Sequence, residues 1–308
     1  RLRRADVRRV LLTTATSAVA TGLLAVPLRK ALIRLELYDV PNSRSSHSTP
    51  VPRGGGIAPV MAGTATSWFG GSRPSARVAA PVLALGAIGL ADDVTGGLSP
   101  TVRLLAQIAT GAVLASSPHT PVGAVGAAGI VNVVNFMDGI NGISGWTAVI
   151  WGVNAIALAN GPDDDLTHLG ALALGGALGF LPHNVPSARL FLGDVGSYSL
   201  GGVMAAGVLS RQRFTDQWRV AAPLLLYGLD AVQAVGHRIR AGQPLGVAHR
   251  GHVYQQLVDQ GWSHTSVAAF HAAMAGFVAA SHRFPRRWTA LGTTAAAAVY
   301  LAAPRVRR

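Results

Sequence analysis

The sequence predicts an all-α fold: a polytopic integral membrane protein with ten or eleven transmembrane helices, built as one domain over residues 1–308. Three observations predict it. Charged residues make up only 13% of the chain and hydrophobic ones 50%, whereas a soluble domain carries about 25% charged residues. Apolar runs almost free of charge recur at 10–27, 54–71, 78–91, 102–116, 121–136, 144–160, 166–182, 196–210, 219–236, 264–281 and 288–303. The 37 glycines, with abundant alanine, suit helices that approach closely in lipid, where packing rather than water drives association.

A helix needs about 20 apolar residues to cross a bilayer, so the shorter runs extend into their polar flanks. The run at 10–27 follows the basic start "RLRRADVRR". It has no small-residue cleavage site ahead of a soluble domain, so it reads as a retained helix rather than a signal peptide. With eleven spans, alternate loops share a side. One side holds 28–53, 92–101, 137–143, 183–195, 237–263 and the C-terminal tail, and nearly every polar constellation lies there. The other side holds short, nondescript loops, including the acidic "DDDL" at 163–166. Lys and Arg divide evenly between the sides, so charge counting does not orient the chain.

The chain has no cysteine, which excludes disulfides and thiolate metal sites. Its net charge is +13, and every base except Lys30 is arginine. That balance suits a lipid bilayer with anionic headgroups, or anionic substrates. Nucleic acid is not an expected partner, because no soluble basic domain exists to hold it.

Five stretches carry chemistry. In "YDVPNSRSSHSTPVPRGGG" (38–56), Arg44, His47 and Arg53 are interleaved with proline and end in a glycine triplet whose amides can approach an anion. In "GLADD" (89–93), Asp92 and Asp93 close an apolar run. An isolated pair of this kind is usually a solvated helix end, but paired acids also suit a hard cation that takes oxygen ligands. In "NVVNFMDGING" (132–142), Asn132, Asn135 and Asp138 recur at three-residue spacing on one helix face, with Asn141 beyond. Such a stack is either polar glue between helices or a metal or phosphate site, and three Asn with one Asp favour the second. In "PHNVPSARLFLGDVGS" (182–197), Asn184 and Arg189 lie in the loop before Asp194, which is equally readable as a helix cap or a site residue. In "HRGH" (249–252), His249, Arg250 and His252 gather donors suited to phosphate oxygens, without the ligand spacing of a zinc site.

In order and spacing, "DVPNSRSSHSTPVPRGGG", "GLADD", "NFMDGINGI", "FLGDVGS" and "HRGH" resemble the polyprenyl-phosphate N-acetylhexosamine-1-phosphate transferases, over about residues 38–264. That family includes the phospho-MurNAc-pentapeptide translocase and the WecA-type GlcNAc-1-phosphate transferases, and "HRGH" resembles the WecA/WbpL-like branch. Asn141 stands where the family often has Asp, and no third acid follows Asp92 and Asp93 at short spacing.

The resemblance implies transfer of a sugar-1-phosphate from a UDP-sugar, GlcNAc by default, to polyprenyl phosphate with release of UMP. It implies Mg²⁺, with Mn²⁺ as the alternative ion, on Asp138 and Asp194. Asp92 and Asp93 would hold the cation or orient the lipid phosphate. Asn135, Asn141, Asn184, Arg44, His47, Arg53, His249, Arg250 and His252 would bind substrate. Because UDP-sugars are cytoplasmic, the motif loops are expected on the cytoplasmic side of a multi-pass inner (plasma) membrane protein. A homodimer is a further implication. The rivals are the peptidoglycan enzyme of the same family and, in another class, a transporter, which would distribute charges through its helices.

Overall fold

The computed structural model describes residues 4–42, 45–69, 74–115, 120–242 and 251–306. Among them are thirteen α-helices. These are α1 (Arg4–Arg34), α2 (Ile57–Phe69), α3 (Ala76–Thr95), α4 (Pro100–Leu114), α5 (Thr120–Met137), α6 (Ile143–Leu158) and α7 (Asp165–Asn184), followed by α8 (Gly193–Leu209), α9 (Phe214–Ala221), α10 (Leu225–Arg240), α11 (Val253–Asp259), α12 (His264–Ser281) and α13 (Arg286–Ala302).

Each predicted apolar run falls on helix, with local chemistry marking the ends. Ser99 caps α4 by accepting from the Val102 amide at 3.3 Å, and Pro100 takes the first helical position, where a missing N–H costs nothing. Ser263 caps α12 from the Ser266 amide at 3.1 Å. The run at 219–236 is not one helix. A 3₁₀ turn over Ala222–Leu224, with Pro223 removing a donor, separates α9 from α10.

The expectation of an all-α chain needs one correction. Two short antiparallel strands, β1 (Tyr38–Asp39) and β2 (Val51–Pro52), pair within the 38–56 stretch, and Arg53 then bridges Phe191 in parallel. Pro41, Pro50 and Pro52 hold this segment extended and out of helix.

Among the described residues, three helices are long and apolar enough to cross a membrane: Asp6–Arg34 within α1, Ala76–Thr95 and Thr120–Met137. Helices α4 and α6 are apolar but shorter. The helices pack α1 on α7, α6 on α7, α3 on α8 and α5 on α8. At α6–α7 the approach is backbone to backbone: a Cβ on Gly152 would lie 2.7 Å from the Gly170 carbonyl oxygen. Small residues are therefore required there, as close packing in lipid demands.

The two ends of the bundle differ in content as the loop alternation predicts, but the second end is not inert. Asp163 pairs with Arg9 of α1 at 2.8 Å. Asp165 accepts from the Ser75 amide at 3.0 Å. Asp164 caps α7 through the Leu166 amide (3.0 Å), accepts from the Asn160 amide (2.8 Å) and pairs with Arg211. The "DDDL" loop thus clamps three helix ends.

Burial pushes the Asp164 carboxyl up, but Arg211 and the Asn160 and Leu166 amides outweigh it and hold the group below its ordinary value. A depressed carboxyl stabilises the fold above its unfolded pKa, and the contribution is lost as pH falls through the folded value. Thermal unfolding in detergent should therefore show a drop in Tm on acidification below about pH 4. Asp164→Asn should be less stable near pH 7 and lose much of that acid step. An unchanged pH profile in the variant would rule the clamp out.

Candidate active site at one end of the bundle

Asp93 lies in the last turn of α3. Its two oxygens accept from the backbone amides of Asp194 (2.9 Å) and Val195 (3.0 Å), the first turn of α8. A carboxylate at this position satisfies otherwise unpaired amides and complements the positive end of the helix dipole. The Arg53 Nε adds a charge-assisted contact at 2.9 Å. Glycine enables the junction, because a Cβ on Gly89, one turn earlier in α3, would run into the Asp194 carbonyl.

Asp92 faces elsewhere. It is 1% exposed and accepts from the Leu98 amide, from Arg103 Nη1 at 3.2 Å and from the Tyr198 hydroxyl at 3.3 Å. The compensation that two adjacent buried acids require is thus supplied within the chain, by Arg53 for one and Arg103 for the other.

The asparagines expected on one face divide their duties. Asn132 donates to Gln107 of α4 and to the Ala128 carbonyl, as helix glue. Asn135 donates to Asp194 Oδ1 at 2.6 Å and to Ser197 Oγ at 2.9 Å, joining α5 to the start of α8. Asp138 follows directly on α5 and is half-buried. Burial raises its carboxyl to about 7; Asp194 and Asp93 add to the rise, while the Ser144 hydroxyl opposes it. Three acids from α3, the α5–α6 loop and α8 therefore sense one another electrostatically.

The remaining expected residues separate. Asn141 donates its amide group to the Pro186 carbonyl at 3.0 Å, and its backbone N–H meets His264 Nδ1 at 3.4 Å. Asn184 accepts from the Gly142 amide at 2.6 Å and donates to the Leu190 carbonyl at 3.1 Å. These two side chains stitch the 138–142 loop to the 185–192 loop. His47 lies edge-on to Phe191, with ring centroids 4.9 Å apart, and 4.0 Å from Asp39. His252 is buried and bonded to Asp230, away from the acids' own hydrogen-bond network. Arg44, His249 and Arg250 lie outside the described residues.

Among the described residues, no group of three or more His, Asp or Glu side chains is arranged as a ready metal cage. The donor set still fits a hard divalent cation: carboxylates that repel one another are relieved by it, and Mg²⁺ binds through one or two carboxylates plus waters and phosphate oxygens.

Asp138 also lines a cavity of about 460 Å³. Asp138, Ser144 and Asn184 line one end, and Ser67, Trp68 and Pro74 the other. Its walls between them are mainly apolar faces of α2, α3, α7 and α8.

Sequence reading missed several participants. Arg103 and Tyr198 carry no motif of their own. Tyr254 on α11 donates to the Phe136 carbonyl at 3.3 Å and lies against the place a Gly139 Cβ would take. Asp230, an acid inside an apolar run, was the one signal available beforehand.

Residues 76–211 match the family model of glycosyl transferase family 4. Over that stretch the chain is similar to glycosyl transferase family 4. It is 28% identical, over 98% of its own length and 90% of the relative, to decaprenyl-phosphate N-acetylglucosaminephosphotransferase of Mycobacterium tuberculosis (strain CDC 1551 / Oshkosh). It is 29% identical to the Mycobacterium leprae (strain TN) protein of that name, over 89% of the chain and 83% of the relative. A shorter match, 50% identical over 60 residues, covers 19% of the chain and 18% of phospho-N-acetylmuramoyl-pentapeptide-transferase from Symbiobacterium thermophilum. The matched segment contains Asp92, Asp93, Asp138 and Asp194 together.

The geometry makes Asp93 a structural keystone whatever else it does. Asp93→Ala strips the α8 cap and leaves Arg53 unpaired, so unfolding in detergent should show a loss on the order of 2 kcal/mol. A variant as stable as the parent would contradict the capping role.

Proposed function

We propose that this protein transfers a sugar-1-phosphate, GlcNAc-1-phosphate by default, from a UDP-sugar to polyprenyl phosphate. The products are polyprenyl-diphosphate-sugar and UMP, used in building a cell wall or surface polysaccharide. The observation that carries the reading is Asp138, within electrostatic reach of Asp194 and Asp93, lining one end of a mainly apolar cavity. An anionic reaction centre at the end of a lipid-compatible cleft suits an acceptor with a phosphate head and an isoprenoid tail.

In the reaction an oxygen of the lipid phosphate attacks the β-phosphorus of the UDP-sugar. The bond from that phosphorus to the bridging oxygen breaks, and UMP leaves with the electron pair. The attacking oxygen is already ionised near neutral pH, so no general base is needed. Asp138 and Asp194 would hold Mg²⁺, or Mn²⁺ in its place. When bound, the ion neutralises the diphosphate and steadies the charge that develops on the departing UMP. Asn135 orients Asp194 for that task through its 2.6 Å bond. Asp93 keeps the α8 amides in place, and the Arg53 guanidinium at the site rim offers positive charge to an incoming phosphate.

The cytoplasmic origin of UDP-sugars supports placing this end of the bundle on the cytoplasmic side of the plasma membrane. The recurrent apolar runs and the helices found along them support ten or eleven spans within a single domain; association as a homodimer is part of the same reading. The near full-length similarity to GlcNAc-phosphate transferases supports GlcNAc over the phospho-MurNAc-pentapeptide donor, whose enzyme matches locally. A transporter would distribute charges along a path through its helices, whereas Asp230, an acid inside the apolar run at 219–236, is bonded to His252 and Tyr300.

Purified protein given undecaprenyl phosphate and UDP-GlcNAc should release UMP only with Mg²⁺ and only with the lipid. Asp138→Asn should abolish release while leaving Tm unchanged or higher, because a repelling charge is gone. Silence of the folded parent across a panel of UDP-sugars, or activity in Asp138→Asn, would overturn the reading.

Filling the cleft tests the acceptor directly. Gly63 faces it, and a Cβ there meets nothing nearer than Leu172 at 3.9 Å. Gly63→Leu should raise KM for a long-chain polyprenyl phosphate about tenfold and leave KM for the UDP-sugar unchanged. Equal KM values in parent and variant would remove the tail from this cleft.

A further inference from the structure

Asp230 is the most completely buried acid among the described residues, 0% exposed, in the middle of α10. The transfer chemistry above does not use it. A buried carboxylate is tolerated only when donors surround it, and here three groups supply them. His252 Nδ1 lies 3.0 Å from Oδ1, the Val253 amide lies 3.0 Å from both oxygens, and the Tyr300 hydroxyl of α13 reaches Oδ2 at 2.9 Å. All four contacts are with groups able to donate, which suits the accepting oxygens of a carboxylate.

We propose that Asp230 is a positioning residue for the transfer: it holds His252 in the Nδ1–H form and seats α11 so that Tyr254 packs on the backbone beside Asp138. This rests on the function proposed above. Two lines of geometry carry it. Because Nδ1 lies 3.0 Å from a carboxylate oxygen, the contact places a ring proton on Nδ1; a ring freed from Asp230 has no such constraint. The same carboxylate accepts the first amide of α11, and Gln255 closes that helix start by accepting from the Gly251 and His252 amides at 2.9 and 3.2 Å. One residue on from Val253, the Tyr254 ring stacks on His252 at 5.5 Å between centroids and covers Gly139, the neighbour of Asp138. A chain of contacts therefore runs from α13 through Asp230, His252 and Tyr254 to the loop that bears the raised acid. Its residues come from α10, α11 and α13, outside the 76–211 segment that the family model matches.

The test is Asp230→Asn, which keeps the shape and one acceptor oxygen but turns an –NH₂ toward groups that now meet a carboxylate. It should fold, with kcat for UMP release reduced about 10- to 100-fold, as for other groups that act by orienting a functional side chain. KM for the lipid should be unchanged. Nitrogen-15 spectra, with His252 assigned through His252→Gln, should show the ring shift from the Nδ1–H to the Nε2–H form. In a double-mutant cycle, His252→Gln should cost much less on the Asp230→Asn background than on the parent.

If the two losses simply multiply, or if Asp230→Asn keeps the Nδ1–H form, the proposal is overturned. If the variant fails to fold, Tyr300→Phe gives the same reading through a smaller loss of kcat, and an unaltered His252 spectrum and rate there would equally overturn it. A parent that releases no UMP with any donor would sink the proposed function, while the nitrogen-15 spectra would still decide whether Asp230 sets the ring.

Discussion

An acid buried at the edge of an apolar bundle has to be met by donors, and the way Asp93 is met organises the rest of this structure. Its carboxylate takes the two leading amides of α8 and the Arg53 guanidinium. That one group ties the end of α3, the start of α8 and the strand-paired 38–56 segment to a common point. Asp194 then sits where Asn135 of α5 can reach it, and Asp138 where burial, and after it both neighbouring acids, raises its carboxyl. Loss of the α8 cap would disturb each of these placements, because none of the other contacts joins all three segments.

The acids of the chain serve two different ends by the same physics. Asp92, Asp164 and Asp230 are compensated by bases or by several donors, and each holds helices together. Asp138 is held near other carboxylates and stays raised. Frustration of that kind is a common mark of a working group, since a fold does not retain uncompensated repulsion without return. The contrast separates scaffold from chemistry more clearly than the conspicuous doublet of Asp92 and Asp93, whose members turn out to point apart.

Glycine serves the site as much as the membrane packing. Gly89 lets α3 meet the start of α8, and Gly139 leaves room for Tyr254. A larger residue at either place would push apart the elements that carry Asp93, Asp194 and Asp138. The "DDDL" loop at the far end, nondescript as a sequence, holds the opposite ends of α1, α3 and α8 and so keeps the cavity walls in register.

The sequence by itself determined the helical architecture, the sorting of polar loops to one end, and Asp92, Asp93, Asp138 and Asp194 as candidates for a common site. Those properties follow from local periodicity, charge depletion and ordered motifs, which need no partner to be legible. It did not determine that the run at 219–236 would break at Pro223, that a strand pair would form at 38–52, or that Asn132 and Asn135 would serve different helices. Nor did it say that Asn141 and Asn184 would bond to backbone, or that Asp230 would seek His252 across 22 residues of chain. Only the tertiary structure decided those points. A polar side chain in an apolar setting bonds to whichever donor or acceptor packing brings within about 3 Å, and which group that is depends on helices far apart in sequence.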